Sequence, residues 1–150
     1  MSQPTAQGLS VLVVDDDEDT TVLLGIVLGR QGWRTTFATN LAQAQSALAE
    51  GDFSALVTDL SLPGGSGLSL LSNGRPATLR AAVVMTGSTG EADRRESERR
   101  GFDAYVVKPF EAAELVALLV RLVGPLATAL PRGSADLAQD LHPVRVEDAS

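Results

Sequence analysis

The stretch that decides the fold is "VLVVDDDEDT", residues 11–20. Its first four residues are apolar and three of them are valine, which is typical of a short strand buried on both faces of a sheet. Acidic residues fill the next five positions, 15–19. Carboxylates packed this closely repel one another unless a cation lies among them. The stretch therefore predicts a buried strand that brings several carboxylates to one edge of a sheet.

Four further apolar segments resemble this first strand, and a segment with helical character follows each of the five. We predict strands at 10–14, 34–39, 53–60, 79–87 and 103–109. We predict helices at 19–30, 40–51, 68–73, 91–101 and 111–124. Five strand–helix units in this order favour an α/β fold with a doubly wound, five-stranded parallel sheet and helices on both faces.

The predicted helices differ in how much apolar surface they offer. In the first helix, the apolar residues at helical spacing are Val22, Leu23, Ile26 and Val27. Segment 91–100 contains no large apolar residue, so we expect a helix that is held loosely. The last helix has a core stripe and a second stripe that needs cover from the tail, a second copy or a partner. These stripes are Leu115, Leu118, Leu119 and Leu122, and then Val116, Val120 and Val123.

Composition excludes several classes of function. The chain of 150 residues has a formal net charge of -7, which disfavours nucleic acid as a direct partner. The absence of cysteine excludes disulfides and zinc–thiolate sites. The single histidine, His142, lies in the polar tail, away from the predicted strands. We find no signal peptide and no apolar stretch long enough to span a membrane, so we expect a cytoplasmic protein.

The predicted domain organisation is simple. Residues 1–9 are expected to be a flexible arm, residues 10–124 the folded domain, and residues 125–150 a polar tail or linker.

Polar residues follow the predicted strands where each one ends. Asp15 and Asp16 end the first strand, Asp59 the third, Thr86 the fourth and Lys108 the fifth. In a parallel sheet these ends lie at one edge, where ligands bind. Oxygen ligands without nitrogen or sulfur suit Mg²⁺. A lysine and a hydroxyl beside them favour a phosphoryl group as the ligand.

The same segments resemble the receiver domain of two-component response regulators. The matching stretches, in order, are "VLVVDDD", "VTDLSLPGGSG", "VVMTGS" and "YVVKPF", and the resemblance covers residues 10–124. It implies a flavodoxin-like (βα)5 fold. It also implies a signalling domain that takes a phosphoryl group from a sensor histidine kinase or a histidine phosphotransfer protein.

The resemblance assigns roles at the strand ends. Asp59 is the implied phosphoacceptor. Mg²⁺ is the implied cofactor, bound directly by Asp16, Asp59 and the backbone carbonyl of Ser61, with Asp15 acting through water. Lys108 would contact the phosphoryl oxygens.

The resemblance also implies how the phosphoryl group is sensed. Thr86 and Tyr105 would form the switch, and the Lys108–Pro109 bond would be cis. The surface of segment 91–100, the fifth strand and the last helix would then contact a second copy or an effector protein.

Two alternatives stay open from the residues. Asp15 and Asp17 have the spacing of an aspartyl phosphatase of the haloacid dehalogenase type, in which Asp15 would be phosphorylated. Asp19, however, stands where that family has threonine or valine, and the chain is short for it. The second alternative is a degenerate receiver that serves only as an interaction module, although the intact Asp59, Thr86 and Lys108 argue against it.

Overall fold

The computed structural model describes residues 9–87 and 90–123. The predicted tail at 125–150 and all of the predicted arm except Leu9 lie outside the described residues. Within the described part of the chain, no helix is long and apolar enough to cross a membrane.

Five parallel strands form the central sheet. They are β1 (Ser10–Val14), β2 (Arg34–Ala38), β3 (Ala55–Asp59), β4 (Ala81–Thr86) and β5 (Ala104–Val107). Their spatial order is β2-β1-β3-β4-β5, with every neighbouring pair parallel. The order reverses between β1 and β3, so the carboxyl ends of these two strands flank the crevice where such sheets bind ligands. The predicted flavodoxin-like fold is confirmed.

Within residues 9–87 and 90–123, four α-helices cover the two faces of the sheet. They are α1 (Glu18–Arg30), α2 (Leu41–Glu50), α3 (Glu91–Arg99) and α4 (Ala112–Val123). Asp17 caps α1 by accepting a hydrogen bond from the Asp19 N–H, and Asn40 caps α2 in the same way from Gln43. Part of the acidic run therefore satisfies free N–H groups at a helix start.

The helix predicted at 68–73 is a shorter 3₁₀-helix rather than an α-helix. A small antiparallel hairpin pairs Ser61–Leu62 with Gly65–Ser66, and a 3₁₀-helix follows at Gly67–Leu71. Side chains three apart lie above one another in a 3₁₀-helix, so Leu68 and Leu71 are both buried by one short turn. Five residues are enough to bury this apolar segment, and no longer helix is needed.

The sheet separates two hydrophobic cores, because successive side chains of a strand point to opposite faces. Val11 and Val13 of β1 pack on the face covered by α1 and α4, while Leu12 and Val14 pack on the opposite face. All four are fully buried. The apolar run at 11–14 therefore contributes two residues to each of the two cores.

The predicted apolar face of α1 is largely wrong. The buried residues are Thr21, Leu24 and Leu28, while Val22, Leu23 and Ile26 are 54%, 50% and 50% exposed. The helix is apolar on nearly every side between 22 and 28, so periodicity alone cannot select a face. Thr21 fits the buried face because its hydroxyl donates to the Glu18 carbonyl within the helix, 2.9 Å away.

The predicted second stripe of α4 is also mostly wrong. Val116 and Val123 are buried in the same core as the leucine stripe, and only Val120 is exposed, at 46%. The helix packs against both α1 and β4, so it buries a wide arc of its surface. The described part of the chain itself covers most of this stripe.

Candidate functional site

Three carboxylates meet at the carboxyl ends of β1 and β3. One oxygen each from Asp15, Asp16 and Asp59 lies within 4.8 Å of the other two. Asp15 is fully buried and Asp16 is exposed, while the Asp59 side chain is 15% exposed. The site is therefore deep at Asp15 and open to solvent at Asp16.

Lys108 places a positive charge between two of these carboxylates. Its Nζ donates to Asp15 Oδ2 at 2.8 Å and to Asp59 Oδ2 at 3.3 Å. The Lys108 backbone N–H donates to the Thr86 carbonyl at 2.7 Å, which ties the end of β5 to the end of β4. The Lys108–Pro109 peptide bond is cis, the isomer that the resemblance implies.

Asp15 uses both of its carboxylate oxygens. Oδ2 accepts from Lys108, and Oδ1 accepts from the Asp17 backbone N–H at 2.9 Å. A fully buried carboxylate needs such partners, because burial without them is costly. Asp15 therefore orients Lys108 and the turn into α1 at the same time.

The surroundings raise the pKa of both Asp59 and Lys108. Burial, aided by the charge of Asp15, raises the pKa of Asp59 above its usual range, against the opposing effect of Lys108. Burial acts to lower the pKa of Lys108, but the hydrogen bond to Asp15 and the two carboxylate charges outweigh it and raise that pKa. Lys108 is therefore held in its charged form, and added positive charge near Asp59 would favour its ionised form.

Gly67 allows the chain to fold back against Asp59. A methyl group on Gly67 would lie 2.2 Å from the Asp59 carbonyl oxygen and 2.6 Å from Thr58 Oγ1. The Gly67 N–H donates to the Leu60 carbonyl at 2.8 Å. Sequence reasoning did not assign a role to this residue, although the glycines of "SLPGGSG" were the available signal.

Thr86 and Tyr105 lie on neighbouring strands and are both buried, with 3% and 4% exposure. Tyr105 pairs with Val84 in register and belongs to the core on the α2 and α3 side. Its hydroxyl lies 3.5 Å from the Gly90 carbonyl, directly before α3. The Tyr105 ring is therefore packed in the core in this structure.

The sequence profile of the response regulator receiver domain matches residues 11–120. The chain belongs to this family. It is a receiver domain of a two-component response regulator, and so a signalling domain. This match favours the receiver over the phosphatase alternative.

Individual proteins resemble this receiver domain in sequence or in fold. Protein PetR of Rhodobacter capsulatus is 34% identical over 91% of the chain, which spans 63% of PetR. A response regulator from Burkholderia pseudomallei, solved with a phosphorylated aspartic acid and a calcium ion, is 26% identical with a TM-score of 0.69, covering 85% of this chain and 73% of that one.

A third relative has the same fold. The receiver domain of the sensor histidine kinase PA1611 from Pseudomonas aeruginosa, solved with a magnesium ion in its active site cleft, is 24% identical with a TM-score of 0.68. The match covers 77% of this chain and 98% of that one.

Proposed function

We propose that this receiver domain accepts a phosphoryl group on Asp59 from a sensor histidine kinase or a histidine phosphotransfer protein in the cytoplasm. The observation that carries the proposal is the position of Lys108 Nζ, which contacts the carboxylates of both Asp15 and Asp59. One cation shared by the ends of three strands is suited to an incoming anionic group.

The residues present fit Mg²⁺ as the cofactor. Three carboxylates supply oxygen ligands only, which is the donor set this ion prefers. Asp16 and Asp59, with the backbone carbonyl of Ser61, would bind the ion directly. Asp15 already uses both oxygens, which supports a contact through water. Bound Mg²⁺ would supply positive charge to the transferring phosphoryl oxygens.

The chemistry follows from the placement of Asp59 and Lys108. A carboxylate oxygen of Asp59 attacks the phosphorus atom in line with the leaving imidazole nitrogen. The oxygen–phosphorus bond forms as the phosphorus–nitrogen bond of the donor breaks, and the donor histidine retains the electron pair. Lys108 neutralises charge on the transferring oxygens. The product is an acyl phosphate, and the domain promotes only its own phosphorylation and dephosphorylation.

Thr86 and Tyr105 would transmit the change. The Thr86 hydroxyl would turn toward the new phosphoryl group, and Tyr105 connects this end of the sheet to the residue before α3. The signalling surface would comprise α3, β5 and α4, and would contact a second copy or an effector protein. Because Val116 and Val123 are buried, Val120 is the exposed valine of this surface.

Labelling with a small phosphodonor tests the acceptor. Acetyl phosphate with Mg²⁺ should label the wild-type chain, and Asp59→Asn should abolish the labelling. Asp52→Asn changes an exposed aspartate outside the site and should label like the wild type. Labelling that persists in Asp59→Asn and maps to Asp15 would instead support the phosphatase chemistry. A wild-type chain that no donor labels would support the interaction module.

A further inference from the structure

The loop that follows Asp59 is fastened to the start of a helix that contributes nothing else to the site. Ser61 lies in the first strand of the small hairpin, and Pro63, Gly64 and Gly65 lie at or beside its turn. The Leu41 N–H donates to the Pro63 carbonyl at 3.0 Å. Leu41 is the first residue of α2, where N–H groups have no partner inside the helix. The start of α2 therefore binds the turn through a backbone N–H that has no partner within the helix.

The Leu41 side chain covers the same turn. A methyl group on Gly64 would lie 3.3 Å from Leu41 Cβ, and one on Gly65 would lie 3.0 Å from Leu41 Cδ2. Both glycines have positive φ angles, 102° and 147°, which other residues rarely adopt. Leu41 is thus in close contact with a turn whose backbone conformation depends on glycine.

Leu41 is itself held firmly. Asn40 caps α2 through the Gln43 N–H at 2.8 Å, and Gln43 Oε1 accepts from the Thr39 N–H at 2.8 Å. These reciprocal hydrogen bonds fix the helix start. The position of the turn is therefore set by α2 as well as by the strands that carry the carboxylates.

We infer that Leu41 is a positioning residue for the cation site, acting through the hairpin on the backbone carbonyl of Ser61. The inference rests on the proposed function, because Ser61 matters only if Mg²⁺ binds there. A backbone carbonyl has no side-chain rotamers with which to adjust, so its position depends on how the loop is held. Loosening the turn would weaken the ion's contact with Ser61 and leave Asp16 and Asp59 in place.

Substitutions at position 41 separate the side chain from the backbone donor. Leu41→Ala removes the cover and keeps the N–H. Leu41→Pro removes both, and proline is well tolerated at the first position of a helix. Asn40 already has the extended conformation, φ −150° and ψ 170°, that a residue before proline prefers. Leu48→Ala is the matched control, since Leu48 is a partly buried residue of α2 that packs on the same core.

The first measurement is the Mg²⁺ dissociation constant by calorimetry. Leu41→Ala should bind Mg²⁺ about tenfold more weakly, as when an outer partner of a metal ligand is lost, and Leu41→Pro more weakly still. Leu48→Ala should match the wild type, and Leu41→Met, which restores the cover, should recover the affinity. The labelling rate at saturating Mg²⁺ should change little in any of them.

The second measurement needs no metal. Hydrogen exchange at the Gly67 amide, which bonds to Leu60 beside the hairpin, should be faster in Leu41→Ala and unchanged in Leu48→Ala. Wild-type Mg²⁺ affinity and wild-type exchange in both Leu41→Ala and Leu41→Pro would overturn the positioning role alone. A wild-type chain that does not bind Mg²⁺ would overturn the proposed cation site and this inference with it.

Discussion

At the scale of single residues, the shape of the Lys108 head group matters as well as its charge. Its ammonium contacts Asp15 and Asp59 at 2.8 and 3.3 Å, and a forked guanidinium is too broad to take the same place. In Lys108→Arg we expect labelling of Asp59 to survive while Thr86 and Tyr105 fail to respond. NMR shifts of these two residues before and after phosphorylation would measure the response, and wild-type shifts in the variant would contradict the need for lysine.

Gly67 is a residue whose replacement should damage both the fold and the site. Gly67→Ala would place a methyl group 2.2 Å from the Asp59 carbonyl oxygen, so backbone must move. We expect a loss of about 1–3 kcal/mol in the free energy of unfolding, as for other overpacked sites. Gly29→Ala is the control, because nothing lies within 4 Å of its added methyl group. It should stabilise α1 by up to about 1 kcal/mol. Urea unfolding would compare the two, and equal stability would contradict the close approach.

The carboxylates and the lysine were predictable from the sequence because parallel strands end at one edge. Asp15, Asp16, Asp59 and Lys108 needed only the strand positions to be brought together. The role of Leu41 depends on contacts between segments that are remote in sequence, and no local pattern encodes it. The glycines of residues 61–67 indicate a tight turn, but they do not show that Gly67 lies against the Asp59 carbonyl. Sequence reasoning therefore found the charged part of the candidate site and missed its steric support.

At the scale of elements, α3 buries little of its surface against the rest of the fold. Ser97 is the one buried side chain among those that the structure describes in this helix. Glu96 accepts hydrogen bonds from Arg99 and, at 2.7 Å, from Arg100 Nε. These bonds, first the one from Arg100, hold the pKa of Glu96 below its ordinary value of 4.5. Hydrogen bonds between side chains of the helix therefore supply part of the stability that burial of an apolar stripe would supply.

The lowered pKa of Glu96 predicts how α3 responds to acid. A carboxyl group with a lowered pKa in the folded state stabilises the structure above its ordinary pKa, and this contribution is lost as the pH falls through the lower value. Protection of the α3 amides from hydrogen exchange should therefore decrease in acid. Glu96→Gln should show low protection at neutral pH already, while Glu98→Gln, on an exposed part of the same helix, should not. If the α3 amides were as well protected from exchange as those of the β-strands at every pH, α3 would not be weakly attached to the fold.

The helix faces were the least predictable part of the fold. From Val22 to Leu28, α1 is apolar on most sides, so several faces were equally compatible with burial. The choice of Leu24 and Leu28 is made by the core that β1 and α4 present, which is tertiary information. The same reason buries Val116 and Val123 in α4. The apolar periodicity predicts that a helix forms, and the packing of neighbouring elements determines which face of the helix is buried.

At the scale of the whole molecule, the carboxylate cluster links cation binding to stability. A ligand that binds only the folded state stabilises it, by about 1.4 kcal/mol at a tenfold excess over the dissociation constant. Without metal, Asp16→Asn should raise the free energy of unfolding, because it relieves repulsion among the carboxylates. With Mg²⁺ the order should reverse, because the variant lacks a ligand. The fluorescence of Trp33, the only tryptophan and 5% exposed, reports unfolding directly. If Mg²⁺ raised the free energy of unfolding of Asp16→Asn as much as that of the wild type, Asp16 would not be a ligand of the ion.

Lys108 also has a practical consequence, because it is the only lysine of the chain. Amine-reactive reagents can modify two groups, the α-amino group and this one. Acylating reagents attack neutral amines, and the raised pKa of Lys108 keeps it charged. Amine coupling to a sensor surface should therefore attach this chain through its α-amino group rather than through Lys108. The extent of acylation in the peptide containing Lys108 will report, by mass, whether its two carboxylate partners are still in place.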